Sequence, residues 1–345
     1  MSTTGTTVGH AVNPGMIFEI FNAYQRTAAL KAAIELDLFT QIGKGSHTVE
    51  AIAKAIGASP ANNGRAVRIL CDFLAIMGLL AKEGEEYSLG IEARLFLDCN
   101  SPGYFGGAAR FLLDPAITSP FNDLAQIVRT GRTTLPDEGT VSYDNPVWVE
   151  FAEAMAPMQF MPANEIAAIV SSDQELKVLD IAAGHGLFGI MIAQQNPKAQ
   201  VTALDWANVL AVAARNAERL GVADRLTLLP GDAFTLDFGG PYDIVLVTNF
   251  FHHFDVPTCE GLIGKVSRAM KPGGQCLTLE FVPNDDRVSP PAAASFAMQM
   301  LGSTPSGDAY TLAEYTKMFE KAGFTSSVAH RLEKSPGTLI VSTKG

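Results

Sequence analysis

Apolar positions along this chain change character three times, and each change predicts a different kind of structure. From Met16 to about Leu97 the spacing is helical: Ile17, Ile20, Phe21 and Tyr24 share one face, and Ala29, Leu30, Ala33 and Leu38 continue a second. Within that stretch HTVEAIAKAIGAS predicts a short helix with Thr48 as its cap, PANNGRAVRILCDFLAIMGLL the next, and EGEEYSLG a small β wing. From residue 101 to 170, Pro102, Gly103, Gly106, Gly107, Pro115, Pro120, Gly131 and Pro136 break the pattern into short helical pieces. Beyond them LKVLDI, AQVTALDW, DRLTLLPGDAF, PYDIVLVTN, GGQCLTLEFVP, SSVAHRLEK and GTLIVSTKG read as strands, separated by helices such as CEGLIGKVSRAM and LAEYTKMFEKAG. Such alternation builds an α/β sheet of βαβ units, here closed by a terminal hairpin.

A length of 345 residues exceeds what one core usually organises, and 47% hydrophobic content is ample for burial. The expected division is a helical and winged unit over 15–98, a helical bridge over 99–170 and an α/β domain over 171–345. No stretch resembles a membrane span, and MSTTGTTVGHAVNPG lacks a basic cluster followed by an apolar run, so a frayed tail and a cytoplasmic location are expected. Cys71, Cys99, Cys259 and Cys276 have no metal-ligand spacing, which predicts reduced thiols and no metal.

Helix, turn, helix and wing is an outline that by shape alone suggests DNA binding. The charges argue otherwise. The net charge of −11 repels phosphate backbones, and residues 1–98 hold eight Lys plus Arg against ten Asp plus Glu. Around Arg65, Arg68 and Asp72 the second helix offers Val67, Ile69, Leu70, Phe73, Leu74, Ile76 and Met77, a surface better suited to burial against a second copy of the chain. A homodimer with no nucleic-acid or membrane partner is therefore expected.

The chemistry begins at LKVLDIAAGHGLFG. Asp180 ends an apolar run, Gly184 and Gly186 let the backbone approach a ligand, and Leu187 starts a helix whose amino terminus offers N–H groups to an anion. Gly184, Gly186 and Gly189 also fit the dinucleotide fingerprint, but a pyrophosphate gains little from a carboxylate four residues before the first glycine. Asp180 suits a ligand carrying an ammonium group, such as the methionine moiety of S-adenosylmethionine. Asp205 ends the next run nineteen residues past Gly186, where a second strand delivers an acid to ribose hydroxyls, and Trp206 can flank the adenine. A third run ends at Asp232, an acceptor for the adenine amino group, with Ala233 and Phe234 shaping the pocket. TNFFHHFD then sets Asn249, His252 and His253 at the carboxyl edge of the sheet, where ligands of open α/β folds collect. A phenol is mostly protonated at neutral pH, and an imidazole can take its proton as attack proceeds, a contribution of about 10²- to 10⁴-fold. His252 is the expected base and His253 an orienting or packing residue. In the bridge, Phe151, Met155 and Met158 form one helical stripe suited to the wall of a flat apolar pocket.

With VLDIAAGHG, ALDW, GDAF, NFFHHFD, KPGGQCLTLEFVP and LAEYTKMFEKAGF, the chain resembles the S-adenosylmethionine-dependent small-molecule O-methyltransferases. More narrowly, it resembles those with a winged-helix dimerisation domain, the family of plant caffeate and hydroxyindole enzymes and bacterial tailoring enzymes. The resemblance covers nearly the whole length. It implies a class I methyltransferase, Rossmann-like seven-stranded sheet behind an N-terminal all-α, winged-helix dimerisation domain. His252 falls where that family places its general base, Glu280 where a carboxylate orients the base, and Met300 where a methionine contacts the substrate ring, with Phe296 beside it. The implied activity is methyl transfer from S-adenosylmethionine to a hydroxyl of a small aromatic or enolic metabolite. Departures from the family pattern are Ala182, Ala183, Gly184 and His185 in the glycine turn, with His185 expected to face solvent. A contact of His185 with the cofactor is the open alternative to solvent exposure, and the other departures are Thr248 where many relatives have a lysine and Ala309 where a second orienting acid would stand. They leave open C-methylation or a non-methylating reaction on the same fold, and a ligand-sensing winged-helix regulator is the remaining alternative.

Overall fold

A computed structural model describes residues 13–58, 63–136, 139–141 and 147–345. Residues 1–12 of the expected N-terminal tail and the first residues of PANNGRAVRIL fall outside the described residues. The chain divides after Gly106 into two compact units.

The first unit starts with α1 (Gly15–Phe21) and α2 (Ala23–Glu35), interrupted at Asn22, so the leading apolar stripe is carried by two helices and not one. It continues through α3 (Leu38–Gly43), α4 (Val49–Ala55) and α5 (Asn63–Ile76) into the hairpin β1 (Leu80–Glu83) and β2 (Glu86–Leu89), then α6 (Ile91–Phe96). Thr48 caps α4 by accepting from the Ala51 N–H. The core comes from the expected second face and from α5: Ala33, Leu38, Val67, Cys71 and Leu74 are buried around Tyr87. Arg68 does not project freely, because its guanidinium pairs with Asp72 at 2.8 Å, where Lys82 and Tyr87 also converge. Met16, Ile17, Phe18, Ile20, Phe21 and Tyr24 are left at least half exposed in the single chain, an apolar face without a partner inside this unit.

In the second unit, α7 (Ala109–Leu112), α8 (Pro115–Thr118), α9 (Leu124–Thr130) and the long α10 (Val147–Ile169), which contains Pro157 and Pro162, precede the sheet. The sheet units are β3 (Lys177–Ile181), α11 (Leu187–Gln195), β4 (Gln200–Asp205), α12 (Ala207–Arg219), β5 (Leu226–Pro230), β6 (Tyr242–Thr248), α13 (Val256–Ala269) and β7 (Met270–Glu280). After α14 (Pro291–Ala294), α15 (Phe296–Ser303) and α16 (Leu312–Lys321), the chain ends in β8 (Phe324–Arg331) and β9 (Thr338–Lys344). The strand order is β5-β4-β3-β6-β7-β9-β8, parallel from β5 to β7 and antiparallel through β9 and β8. The runs of β3, β4, β6, β7 and β9 become largely buried strands while the edge strands β5 and β8 stay mostly exposed, and the order reverses at β3, so the carboxyl ends of β3, β4 and β6 open on one crevice. One boundary differs from expectation: β5 stops at Pro230, so Asp232 lies in the loop beyond it.

Candidate active site

The turn after β3 is built by packing from below. Gly186, at φ +74°, caps α11, and a Cβ there would lie 2.8 Å from the Ala213 Cβ; one on Gly189 would lie 2.7 Å from Val201 Cγ1. Both glycines therefore serve close packing of α11 on its neighbours. Gly184, at φ +57°, has no such crowding and faces the crevice. Five of the turn's backbone donors are taken up by protein acceptors, while the N–H groups of His185 and Phe188 have none among the described residues. Ala183 N–H donates to the Leu204 carbonyl (3.1 Å), Gly184 to Asp205 Oδ2 (2.8 Å), Gly186 to the Ala183 carbonyl (2.8 Å), Leu187 to His185 Nδ1 (3.1 Å) and Gly189 to Asp180 Oδ2 (3.1 Å). The expectation that the N–H groups of the turn are offered to an anion is corrected for those five, which leaves a pyrophosphate only the two of His185 and Phe188.

Asp180 and Gly186, expected around the cofactor, do not line the cavity. Asp180 is fully buried beneath the turn, outside the cavity lining, and its Oδ1 has no protein partner among the described residues. Burial pushes its carboxyl up to about 8, against the pull of the Gly189 N–H and with Asp205 adding to the rise. Its observed contact is to the amino-terminal turn of α11.

Above the turn lies a cavity of about 270 Å³, its walls drawn from the second unit alone. Gly184, Asp205, Trp206, Asp232, Ala233, Phe234 and Asn249, seven of the nine residues expected around the cofactor, line it. Asp205 accepts from Gly184 N–H and, through Oδ1, from Trp206 N–H at 2.7 Å. Burial raises it to about 6, against those two bonds, and each oxygen keeps a lone pair for a diol. Asp232 is fixed by the Phe234 N–H (2.9 Å) and the Thr235 hydroxyl (3.1 Å). Phe234, Phe250 and Phe254 close one wall with rings 4.9–6.1 Å apart. No lysine or arginine lines the cavity among the described residues. Acceptors beside flat apolar walls, without a cation, fit a nucleoside bearing positive charge better than a phosphate ester.

His185 is a further correction: it is 2% exposed and lines the cavity instead of facing solvent. Burial lowers its imidazole to about 4, so it is neutral. His253 also lines the cavity, edge-on to Trp148 at 5.2 Å, and burial first, the His252 ring second, hold it well below the usual histidine range.

His252 sits one step behind that wall in a 3₁₀ turn after β6, its ring 4.2 Å from His253 and 4.8 Å from Phe296. The β6–β7 register pairs Thr248 with Leu279, which brings Glu280 level with the turn. Glu280 Oε2 accepts from His252 Nδ1 at 2.5 Å, and Oε1 accepts from the N–H groups of Phe250 (2.9 Å) and His252 (3.4 Å). Both side chains are at most 5% exposed. The second expected acid is absent at Ala309, but the Asp308 N–H donates to the His252 carbonyl at 3.0 Å from that same loop. Gly307 allows the approach, since a Cβ there would lie 2.3 Å from that carbonyl oxygen.

Among the expected acceptor contacts, Phe151 lines the cavity, Phe296 stacks on Phe281 at 3.9 Å beside His252, and Met300 is buried on α15. Met155 and Met158 are not in the lining, and Met158 is 37% exposed. The α10 stripe turns Phe151 and Trp148 inward instead. Trp148, one of the bridge aromatics expected as candidates for a cavity roof, lines it, and sequence reasoning missed Val209, Phe250 and Phe254. The last two lie in TNFFHHFD itself, and Val209 follows Trp206 by one helical turn.

No described helix is long and apolar enough to cross a membrane, and no described cluster of His, Cys, Asp or Glu suits a metal. The O-methyltransferase domain matches residues 121–325, and the O-methyltransferase dimerisation domain matches residues 18–98. A candidate O-methyltransferase from Nostoc punctiforme, solved by crystallography, is 47% identical with a TM-score of 0.93, over 97% of this chain and 100% of that one. The tetracenomycin polyketide synthesis 8-O-methyl transferase TcmO of Streptomyces glaucescens is 28% identical over 97% of this chain and 98% of its own length. Human N-acetylserotonin methyltransferase in complex with S-adenosylmethionine shares the fold at 19% identity and a TM-score of 0.83, over 99% of this chain and 100% of that one. With both domains of the family present in order and a cofactor crevice at the reversal of its sheet, the chain belongs to the S-adenosylmethionine-dependent O-methyltransferases.

Proposed function

We propose that the protein methylates a hydroxyl of a small aromatic or enolic metabolite, with His252 as general base and Glu280 as the residue that orients it. The observation that carries this reading is the 2.5 Å contact between His252 Nδ1 and a buried carboxylate already held by two backbone N–H groups. A carboxylate can only accept, so the proton of the neutral imidazole stays on Nδ1 and Nε2 keeps its lone pair. When bound, the cofactor supplies a methyl group made electrophilic by its attachment to a sulfonium. Nε2 takes the acceptor's hydroxyl proton as its oxygen attacks, and the Glu280 charge stabilises the imidazolium that forms.

Asp205 holds the ribose hydroxyls and Asp232 the adenine amino group, with Gly184, Trp206, Ala233, Phe234 and Asn249 as the walls. Phe151, Phe296 and Met300 frame the acceptor, and the 99–170 bridge shapes that side. The Streptomyces relative's name puts its methyl on an oxygen of a polyketide, which supports an oxygen acceptor here. Two copies of the chain associate through residues 15–98, for which the exposed face from Met16 to Tyr24 is the support. The test is to incubate the protein with labelled cofactor and a panel of phenols, enols and 2-oxo acids, reading products by mass spectrometry. Label on oxygen in a phenol or enol is expected; label on carbon, or none in any member, would overturn the reading.

A further inference from the structure

The cavity must accept a ligand end that carries a carboxylate as well as an ammonium, yet its described lining has no lysine or arginine. The glycine turn makes good little of the lack, because the N–H groups of Ala183, Gly184, Gly186, Leu187 and Gly189 already have protein acceptors, and only those of His185 and Phe188 are left without one among the described residues. Trp148 is occupied too, its Nε1 donating to the Thr140 carbonyl at 2.9 Å. His185 differs. Its Nδ1 accepts from Leu187 N–H, which fixes the proton of the neutral ring on Nε2, and Nε2 has no protein partner among the described residues. The ring is held in place: it lies near-parallel to Phe151 (6.5 Å, 17°), against Phe188 at 5.7 Å, and Asn216 Nδ2 donates to the His185 carbonyl at 2.8 Å.

Charge selects which ligand end meets it. Asp205 and Asp232 make their part of the cavity repel a carboxylate, whereas His185 stands at the amino terminus of α11, where the helix dipole favours one. We propose that His185 is the residue that binds the carboxylate of the cofactor's amino-acid end, through a neutral Nε2–H donor in place of a cation. The inference rests on reading the cavity as the cofactor's, and it deepens that reading by naming a contact the family pattern does not supply.

Calorimetry with S-adenosylhomocysteine and its decarboxylated analogue, which differ by the carboxylate alone, tests it on the wild type and two variants. His185→Asn keeps an acceptor near Nδ1 for the Leu187 N–H but shortens the donor, and His185→Gln places an amide N–H near the Nε2 position. The wild type should prefer the carboxylate-bearing probe by about 10- to 100-fold, the span of a hydrogen bond to a charged group. H185N should abolish that preference and H185Q should keep most of it, with melting temperatures confirming that both variants fold. If H185N weakens both probes equally, or leaves the preference intact, His185 only shapes the turn and the inference falls. If the wild type binds neither probe, or if Asp205→Ala leaves binding of both unchanged, the cofactor assignment of the cavity falls with it.

Discussion

Replacing Glu280 by Gln should disable the base without disturbing the cofactor cavity. The Phe250 and His252 N–H groups both point at Oε1, so the amide oxygen of the glutamine is held there and its NH₂ is turned toward His252 Nδ1. Two donors cannot share that contact. The imidazole escapes by moving its proton to Nε2, which puts an N–H where the acceptor's hydroxyl needs a lone pair. The loss should match that of a general base, about 10²- to 10⁴-fold in kcat, equivalent to about 2.7–5.4 kcal/mol of barrier. Steady-state methyl transfer measured by mass spectrometry reads kcat, and calorimetry of S-adenosylhomocysteine, whose cavity Glu280 does not line, should give an unchanged Kd. An acceptor acidic enough to be ionised at the assay pH needs no base and should lose far less. A kcat within about threefold of wild type on a neutral phenol would refute the reasoning, as would equal losses on ionised and neutral acceptors, because a factor that small lies below any general-base contribution.

Other consequences are independent of that pair. Asp205→Ala removes the acceptor for the Gly184 and Trp206 N–H groups and the proposed ribose contact, so the Kd for S-adenosylhomocysteine should rise at least about tenfold by calorimetry; an unchanged Kd contradicts the ribose role. Asp180, pushed by burial from 3.8 to about 8, binds its proton more tightly in the folded chain than in the unfolded one. Stability therefore falls as pH rises between those values, and Asp180→Asn should flatten the decline in melting temperature from about pH 5.5 to 8.5; parallel curves for the two proteins would contradict the sign. Ile17→Asp with Phe21→Asp places two charges on the face that is 50% and 68% exposed at those residues, and light scattering should show the mass fall from two chains to one. A wild type already of one-chain mass would remove the basis for the dimer.

Much of the fold was legible because its signals are local. Strand runs ending at or beside Asp180 and Asp205, the Thr48 cap and the wing turn at Gly84 each depend on neighbours within a few residues, whereas the end of β5 at Pro230 falls two residues short of the expected Asp232. The placement of Asp205 at the cavity was legible for the same reason, since a strand end in a parallel sheet fixes the edge to which its side chain is delivered, and Asp232 reaches the same cavity from the loop after β5. That Asp180 lies beneath the turn and His185 lines the cavity was not legible, because the two sides of one turn look alike in sequence. Which side faces the ligand is decided by Ala213 and Val201, contributed by α12 and β4, which press on Gly186 and Gly189. The α10 stripe failed in a related way: helical spacing groups Phe151, Met155 and Met158, but only packing decides that Phe151 and Trp148 turn to the cavity. The His252–Glu280 pair, 28 residues apart, is a product of the β6–β7 register, and in the sequence it was visible only through family resemblance.

The central claim is that the crevice at the ends of β3, β4 and β6 holds the methyl donor in front of His252. A crystal structure with S-adenosylhomocysteine tests it most directly. The account predicts ribose hydroxyls within hydrogen-bond distance of Asp205, the adenine beside Asp232 and Phe234, and the sulfur turned toward His252 and Phe296. A nucleoside bound elsewhere, or seated in the crevice with its sulfur turned away from His252, would contradict it.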